Sequence, residues 1–277
     1  MSRLGVVGLV SLDRVDGGIP RLGGAPWYAA QALRLLDHPA VLVTKLAAED
    51  SRRGLHALGL PVAWRAAPKT ITFRIENGAD GRAMELEERG EAWSRADAEG
   101  WVREALAGCE WVHAGALTGE DFSADVLAVL RRGRRLSFDG QGLTRSSGLG
   151  PVTLGRDFDP ELLRHIDLLK LSREEADALG LGLDERALRT LGVGEILVTL
   201  GSKGSVVYAD GLAEHVPART LAAHDPTGAG DQFAAAYLVY RSRRHSPVSA
   251  ARLASEVVHR LLEERVASEQ RRAVLAV

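Results

Sequence analysis

Short apolar runs of strand length alternate with segments of helical spacing along most of the chain. Leu4–Val10, Ala40–Lys45, Trp111–Ala114, Leu136–Asp139, Ile166–Leu171 and Ile196–Leu200 read as buried strands. Between them, Ala25–Leu36, Ala98–Leu106, Ala124–Arg131 and Glu174–Leu179 carry the helical period. Strands that are apolar on both faces need cover on both sides, so the pattern predicts a mainly parallel sheet between helices. The last third differs. Val206–Tyr208 and Ala213–Val216 flank the turn Asp210-Gly211 as a hairpin, and two helices follow, Ala229–Arg241 and Val248–Val266. One earlier segment, residues 70–87, alternates apolar and polar positions around the turn-rich Asn77-Gly78-Ala79-Asp80-Gly81. That predicts a hairpin with one wet face.

The 277 residues suit one large α/β domain, and no repeat or Pro/Gly/Ser-rich linker divides them, so a single domain over 1–277 is expected. A formal net charge of −2 argues against a nucleic-acid surface. Four lysines (Lys45, Lys69, Lys170, Lys203) stand among 35 basic residues, an arginine bias that base composition explains better than any ligand. Cys109 is the only cysteine, which rules out intramolecular disulfides and cysteine metal clusters; a packed thiol is the expected state. No apolar stretch approaches the ~20 residues of a membrane span, and the N-terminal run is too short for a signal sequence. A cytoplasmic protein with no membrane or nucleic-acid partner is expected, as monomer or homodimer.

The densest chemistry lies in His224-Asp225-Pro226-Thr227-Gly228-Ala229-Gly230-Asp231-Gln232-Phe233. Asp225, Pro226 and Thr227 are turn and cap residues that end one segment before a helix. Gly228, Ala229 and Gly230 carry almost no side chain, so an anion can approach the N–H groups at the helix start. Asp231 falls in the first helical turn. A carboxylate beside donors aimed at an anion suits deprotonation of a hydroxyl as it attacks a phosphate.

This string resembles the C-terminal signature of the ribokinase-like (PfkB-type) carbohydrate kinases. The resemblance implies a three-layer, doubly wound α/β fold with a reduced β lid, the hairpin 70–87 being part of that lid. A second lid segment would lie between Asp13 and Gly23, where only Arg14 to Leu22 intervene, too few for the full arrangement. It also implies Asp231 as catalytic base, Gly228–Gly230 as an anion hole, and ATP with Mg2+ as cofactors. Asp225 and Thr227 resemble the family's monovalent-cation loop.

Further segments match in family order. Asp13, just past the first strand, is either a turn aspartate or a grip on substrate hydroxyls. Gly23-Gly24 resembles the glycine pair that seats substrate against backbone, with Pro26 at the helix start and Tyr28 where the family commonly has Asn. Asp139 and Gln141 resemble an Asp-X-Asn strand end and read as substrate or metal–phosphate contacts, or as a structural cap. Ser172 and Glu175 resemble the Asn-X-X-Glu motif of the magnesium shell, with Glu175 acting through water, yet they also form a capping box that needs no metal. Thr199, Gly201 and Gly204 resemble an element beside the nucleotide, and Ser172, Gly228 and Gly230 would lie on that side too. Neither a Walker loop nor a Rossmann fingerprint fits. The expected activity is ATP-dependent phosphorylation of a small sugar or cyclic, inositol-like polyol. A nucleoside kinase is the alternative, and a catalytically weak nucleotide or sugar sensor a further one. Tyr28 is expected to stack its ring on the substrate.

Overall fold

The computed structural model describes residues 2–78, 81–219, 221 and 225–275, with backbone alone at 52–53, 81, 269 and 272–275. His224 and the turn centre Ala79-Asp80 lie outside the described residues. Among the described residues, fourteen strands run in chain order. They are β1 (Arg3–Gly8), β2 (Ser11–Val15), β3 (Arg21–Gly23), β4 (Ala40–Ala47), β5 (Val62–Ala67), β6 (Thr72–Gly78) and β7 (Gly81–Glu88). Then come β8 (Cys109–Gly115), β9 (Arg135–Asp139), β10 (Gly150–Pro151), β11 (Leu168–Ser172), β12 (Glu195–Thr199), β13 (Ser205–Ala209) and β14 (Leu212–Val216). The helices that matter below are α1 (Ala25–Leu35), α2 (Ala124–Arg131), α3 (Arg173–Ala178), α4 (Ala229–Ser242) and α5 (Pro247–Leu275).

Nine strands form the main sheet in the order β14-β13-β12-β11-β9-β8-β1-β4-β5. Its seven strands from β12 to β5 are parallel, and β13 and β14 return antiparallel as the expected hairpin. Side chains alternate across the sheet and feed two cores. Val7, Val43, Val112, Leu169 and Ile196 pack on one face with α2 residues Val126 and Leu130. Leu4, Val6, Leu42, Leu168 and Leu197 pack on the other with Leu33 of α1, Tyr237 of α4 and Ala254 of α5. Each fully buried Leu or Val contributes about 1.5–3 kcal/mol, so continuous apolar strands are what a sheet covered on both sides requires. Cys109 is buried in the first core, as its setting implied.

The second sheet, β10-β7-β6-β2-β3, is the lid. The hairpin expected over 70–87 is β6 and β7, with Phe73, Ile75 and Leu86 buried and Arg74 and Glu76 exposed. The second lid segment, for which Arg14 to Leu22 leave too few residues for the full arrangement, is present in reduced form. β2 and β3, of five and three residues, overlap the two ends of that stretch, and β2 pairs in parallel with β6. The reduction lies in strand length. The helix expected over Ala98–Leu106 is also revised: it is two short turns, Arg95–Asp97 and Arg103–Ala105, joined by a wider turn. Gly100 breaks the period there at φ −93° and ψ −118°, a geometry that costs glycine little.

Parallel strands end on a common edge, so the C-terminal ends of β1, β8, β9, β11 and β12 gather Asp13, Asp139, Ser172 and Thr199 on one side of the sheet. Helix α4 starts at this edge and is anchored near the opposite one by a largely buried cluster. The Tyr237 hydroxyl donates to Glu195 Oε1 at the start of β12, and Arg241 Nη2 lies 2.9 Å from Glu195 Oε2. Removing one member strands the others without a partner. Glu195→Ala is therefore expected to lower stability by about 3 kcal/mol in urea unfolding.

Candidate active site

Helix α4 begins at Gly228, whose φ of +79° is the left-handed conformation that glycine tolerates. A Cβ added there would lie 2.0 Å from Tyr28 Cδ1, so the ring of Tyr28 packs directly against the loop. The Arg265 guanidinium covers that ring at 5.9 Å from its centroid. Little ring surface is left for a substrate, and the expected stacking of Tyr28 on a sugar ring is corrected. Burial, together with the Asp13 charge, pushes the Tyr28 phenol above its ordinary range, and Asp231 adds to this. Tyr28 thus offers the cleft a neutral hydroxyl near both carboxylates.

Asp231 sits in the first turn of α4, as its motif predicted. Its surroundings come from other elements. Burial and the Asp139 and Glu175 charges push its carboxyl up to about 7, against the pull of Lys170 and Arg145. Lys170 Nζ lies 3.2 Å from Asp139 Oδ2, and a Cβ on Gly230 would come within 3.1 Å of the same nitrogen. Burial alone would discharge Lys170, but Asp139, Glu175 and Asp231 hold it firmly protonated.

A second buried lysine shows what is unusual here. Lys45 and Lys170 are each 3% exposed. Lys45 spends its ammonium hydrogens on Glu91 Oε1, Asp97 Oδ2 and the Ala92 carbonyl, at 2.7, 2.7 and 3.1 Å. Lys170 has one acceptor among the described residues, Asp139. An ammonium has three donors, so two of them are left for a ligand beside Gly230.

Other expected residues make structural contacts, and some keep an unpartnered oxygen among the described residues. Asp139 Oδ1 accepts the Gln141 N–H at 3.0 Å, which realises the structural cap, while Gln141 Oε1 is buried without a partner among the described residues. Ser172 and Glu175 form the capping box of α3: Glu175 N–H donates to Ser172 Oγ at 3.1 Å, and Ser172 N–H to Glu175 Oε2 at 2.8 Å. The other Glu175 oxygen accepts nothing among the described residues. Asp13 is buried, accepts the Ser11 hydroxyl at 2.8 Å, and lies so close to Gly23 that a Cβ there would come within 2.2 Å of its Oδ2. Burial raises its pKa against the Ser11 bond and the charges of Arg82, Arg21 and Arg145. Gly24, at φ +84°, abuts Leu9 O. The glycine pair therefore seats Asp13 and the β1 end as much as any ligand.

Thr199 Oγ1 donates to Leu171 O at 3.2 Å, tying the end of β12 to β11. Gly201 and Gly204 follow with positive φ, and a Cβ on Gly204 would collide with Val216 O. Thr199 links this turn to the β11 end, but the turn makes no hydrogen bond to the carboxylate cluster among the described residues.

The Asp225–Thr227 loop does not fit a bound monovalent cation. Arg21 Nη2 lies 2.6 Å from Asp225 Oδ2, and Thr227 N–H and Oγ1–H donate to Asp225 Oδ1 at 2.9 and 2.5 Å. Burial would raise this carboxyl, but these donors hold it down at about 2. The main-chain oxygens of Asp225 and Thr227 both accept from Arg265 Nη1, at 2.9 Å each.

Two buried groups were passed over in the sequence. Lys170 and His113 fall within Ile166–Leu171 and Trp111–Ala114, whose patterns predict strands and nothing more. His113 Nδ1 is 3.1 Å from Ser137 Oγ, and ligand atoms of His113, Asp139 and Asp231 lie within 4.8 Å of one another. Burial holds its pKa down at about 4, so it is neutral beside the carboxylates. The available signal was a polar residue inside an apolar strand, close to that strand's C-terminal end.

Residues 153–263 match the pattern of the pfkB family carbohydrate kinases. An inositol 3-kinase of Zea mays is 31% identical over 125 residues, 44% of this chain and 31% of that protein. A nucleoside kinase of Methanothermobacter thermautotrophicus is 32% identical over 100 residues, 35% of this chain and 32% of that one. The chain thus spans about a third of the length of the curated relatives it matches. Among solved structures, a pyrophosphate-dependent kinase of the ribokinase family, complexed with a pyrophosphate analogue and myo-inositol, superposes with TM-score 0.78. It is 27% identical, and 93% of each chain is covered. With the parallel sheet, its lid and the Gly-Ala-Gly-Asp helix start already described, these matches show a ribokinase-like fold and, over residues 153–263, the pattern of the PfkB-type carbohydrate kinases.

Proposed function

We propose that this chain, as a single kinase domain over 1–277 with the lid hairpin at 70–87, transfers a terminal phosphoryl group to a hydroxyl of a cyclic, inositol-like polyol. One observation carries the reading: Asp231, with its carboxyl raised to about 7, stands at a helix start beside small residues and the under-used ammonium of Lys170. The acceptor oxygen attacks the terminal phosphorus as its proton passes to Asp231. The new O–P bond forms as the bridging P–O bond breaks, and the remainder of the donor departs. N–H groups of Gly228–Gly230 and the Lys170 ammonium stabilise the charge on the equatorial oxygens. Asp13 and the Tyr28 hydroxyl hold acceptor hydroxyls, with Gly23 and Gly24 shaping the seat. Asp139 and Gln141 bridge the acceptor and phosphate sides.

Three carboxylates around one lysine, together with the orphaned Gln141 Oε1, suit a divalent cation. Glu175, through water, would hold Mg2+, whose charge would offset that of the phosphates. Ser172, Thr199, Gly201 and Gly204 line the donor side. ATP is the donor that the sequence implies. The likeness to a pyrophosphate-dependent kinase across nearly the whole chain favours inorganic pyrophosphate as a second reading.

A matrix of ATP and pyrophosphate against inositols, hexoses and nucleosides, scored by phosphorylated product, tests both points. The largest kcat/KM is expected with a cyclitol. A nucleoside as best acceptor would overturn the polyol reading, and absence of product with every pair would leave a binding protein.

A further inference from the structure

The underside of the Asp225–Gly228 loop carries an unusual concentration of acceptors. Asp225 presents its carboxylate, and the carbonyls of Asp225 and Thr227 converge on a single donor atom, Arg265 Nη1, at 2.9 Å each. That arginine comes from α5, which runs on past α4 and reaches back under the loop. It makes no ion pair with a carboxylate among the described residues, and its guanidinium covers the Tyr28 ring packed against Gly228. Two converging carbonyls repel each other unless a positive charge stands between them. Arg265 supplies that charge, while Arg21 neutralises the Asp225 carboxylate from β3.

We infer that Arg265 is a tethered cation that holds the anion-hole loop in shape, in place of an inorganic monovalent cation. Among the described residues of the loop, the Asp225 carboxylate and the Asp225 and Thr227 carbonyls, the oxygens that would hold such an ion, are already matched to an arginine or to Thr227. The loop geometry is therefore independent of Na+ or K+, and the protein becomes cation-responsive only when the guanidinium is removed. Arg265 is a positioning residue. It acts through the Asp225 and Thr227 carbonyls on the N–H groups of Gly228–Gly230. The activity arm of the test rests on the proposed phosphoryl transfer, and the thermal arm does not.

Wild type, Arg265→Ala and Arg265→Lys are compared in KCl, NaCl and choline chloride at equal ionic strength of about 0.1 M, so that general screening is held constant. Thermal unfolding is read first. Wild type is expected to melt at the same temperature in all three salts. Arg265→Ala is expected to gain several degrees in KCl or NaCl over choline, as a site opened in the native state binds the small cation by mass action. Arg265→Lys keeps a charge near the carbonyls and is expected to stay unresponsive. Where turnover is measurable, Arg265→Ala should lose about tenfold to a hundredfold in kcat, the weight of charge-assisted hydrogen bonds. An alkali cation or millimolar guanidinium should restore part of that loss, and choline should not.

Wild-type protein stabilised or activated by K+ over choline would overturn the inference. So would an Arg265→Ala protein that folds yet responds identically to all three salts. If Arg265→Ala fails to fold, Arg265→Gln takes its place with the same expected cation response and the same overturning result. Loss of all turnover in wild type, with the thermal pattern intact, would sink the kinase reading and leave the tethered cation standing.

Discussion

Asp231→Asn is expected to lower kcat by roughly 10²–10⁴ while folding and donor binding stay close to wild type, the usual weight of a general base. The carboxyl lies at the first turn of α4 and contributes little to either core, so the cost falls on chemistry. The pH profile makes the test specific. Burial and the Asp139 and Glu175 charges push Asp231 up to about 7, and only the ionised form can take the proton. In wild type, kcat/KM should therefore climb about tenfold per pH unit below the midpoint and level off above it, because that ratio reports the free enzyme. Asp231→Asn should lose this acid limb. A variant that keeps more than about a tenth of the turnover, or that retains the limb, removes Asp231 from the role.

Lys170→Met is expected to cost about 10²–10³ in kcat, comparable to losing a preorganised donor in an anion hole. The methionine chain fills similar space, so the loss is mainly one of charge. Lys170 also lowers the pKa of Asp231, so its removal should move the acid limb of kcat/KM to higher pH. Lys170→Arg, which keeps the charge, should leave the limb nearly in place. A Lys170→Met protein with an unmoved limb and intact turnover would make the Lys170–Asp139 pair purely structural. Glu175 would then draw its counter-charge from the Arg145 guanidinium, whose charge also acts on it.

The legible part of this site was the part written in consecutive residues. Gly228, Ala229, Gly230 and Asp231 describe their own helix start, because capping, glycine conformation and the helix dipole act over one turn. Ser172 and Glu175 were readable as a capping box for the same reason, and both reciprocal bonds form. Tyr28 was legible in place but not in role. Its position in the first turn of α1 is local, whereas its packing against Gly228 brings together segments far apart in the chain. Lys170 and His113 were hidden because a strand pattern reports burial, and burial alone does not say which charges meet inside.

By itself, the sequence determined the alternation of strands and helices, the two-sided cover of the parallel strands, the wet-faced hairpin and the glycine-rich start of α4. These follow from period, turn chemistry and apolar area, which are properties of short segments. The tertiary structure decided the rest. It brought β2 alongside β6 to complete the lid, set Lys170 of β11 beside Gly230 of α4, and carried Arg265 back to Thr227 across 38 residues of chain. Charge pairing depends on distance in space rather than along the chain, and burial magnifies each such meeting. That is why the shape of the sheet could be read in advance, while the two basic groups beside the glycine-rich start of α4 became visible only once the chain had folded.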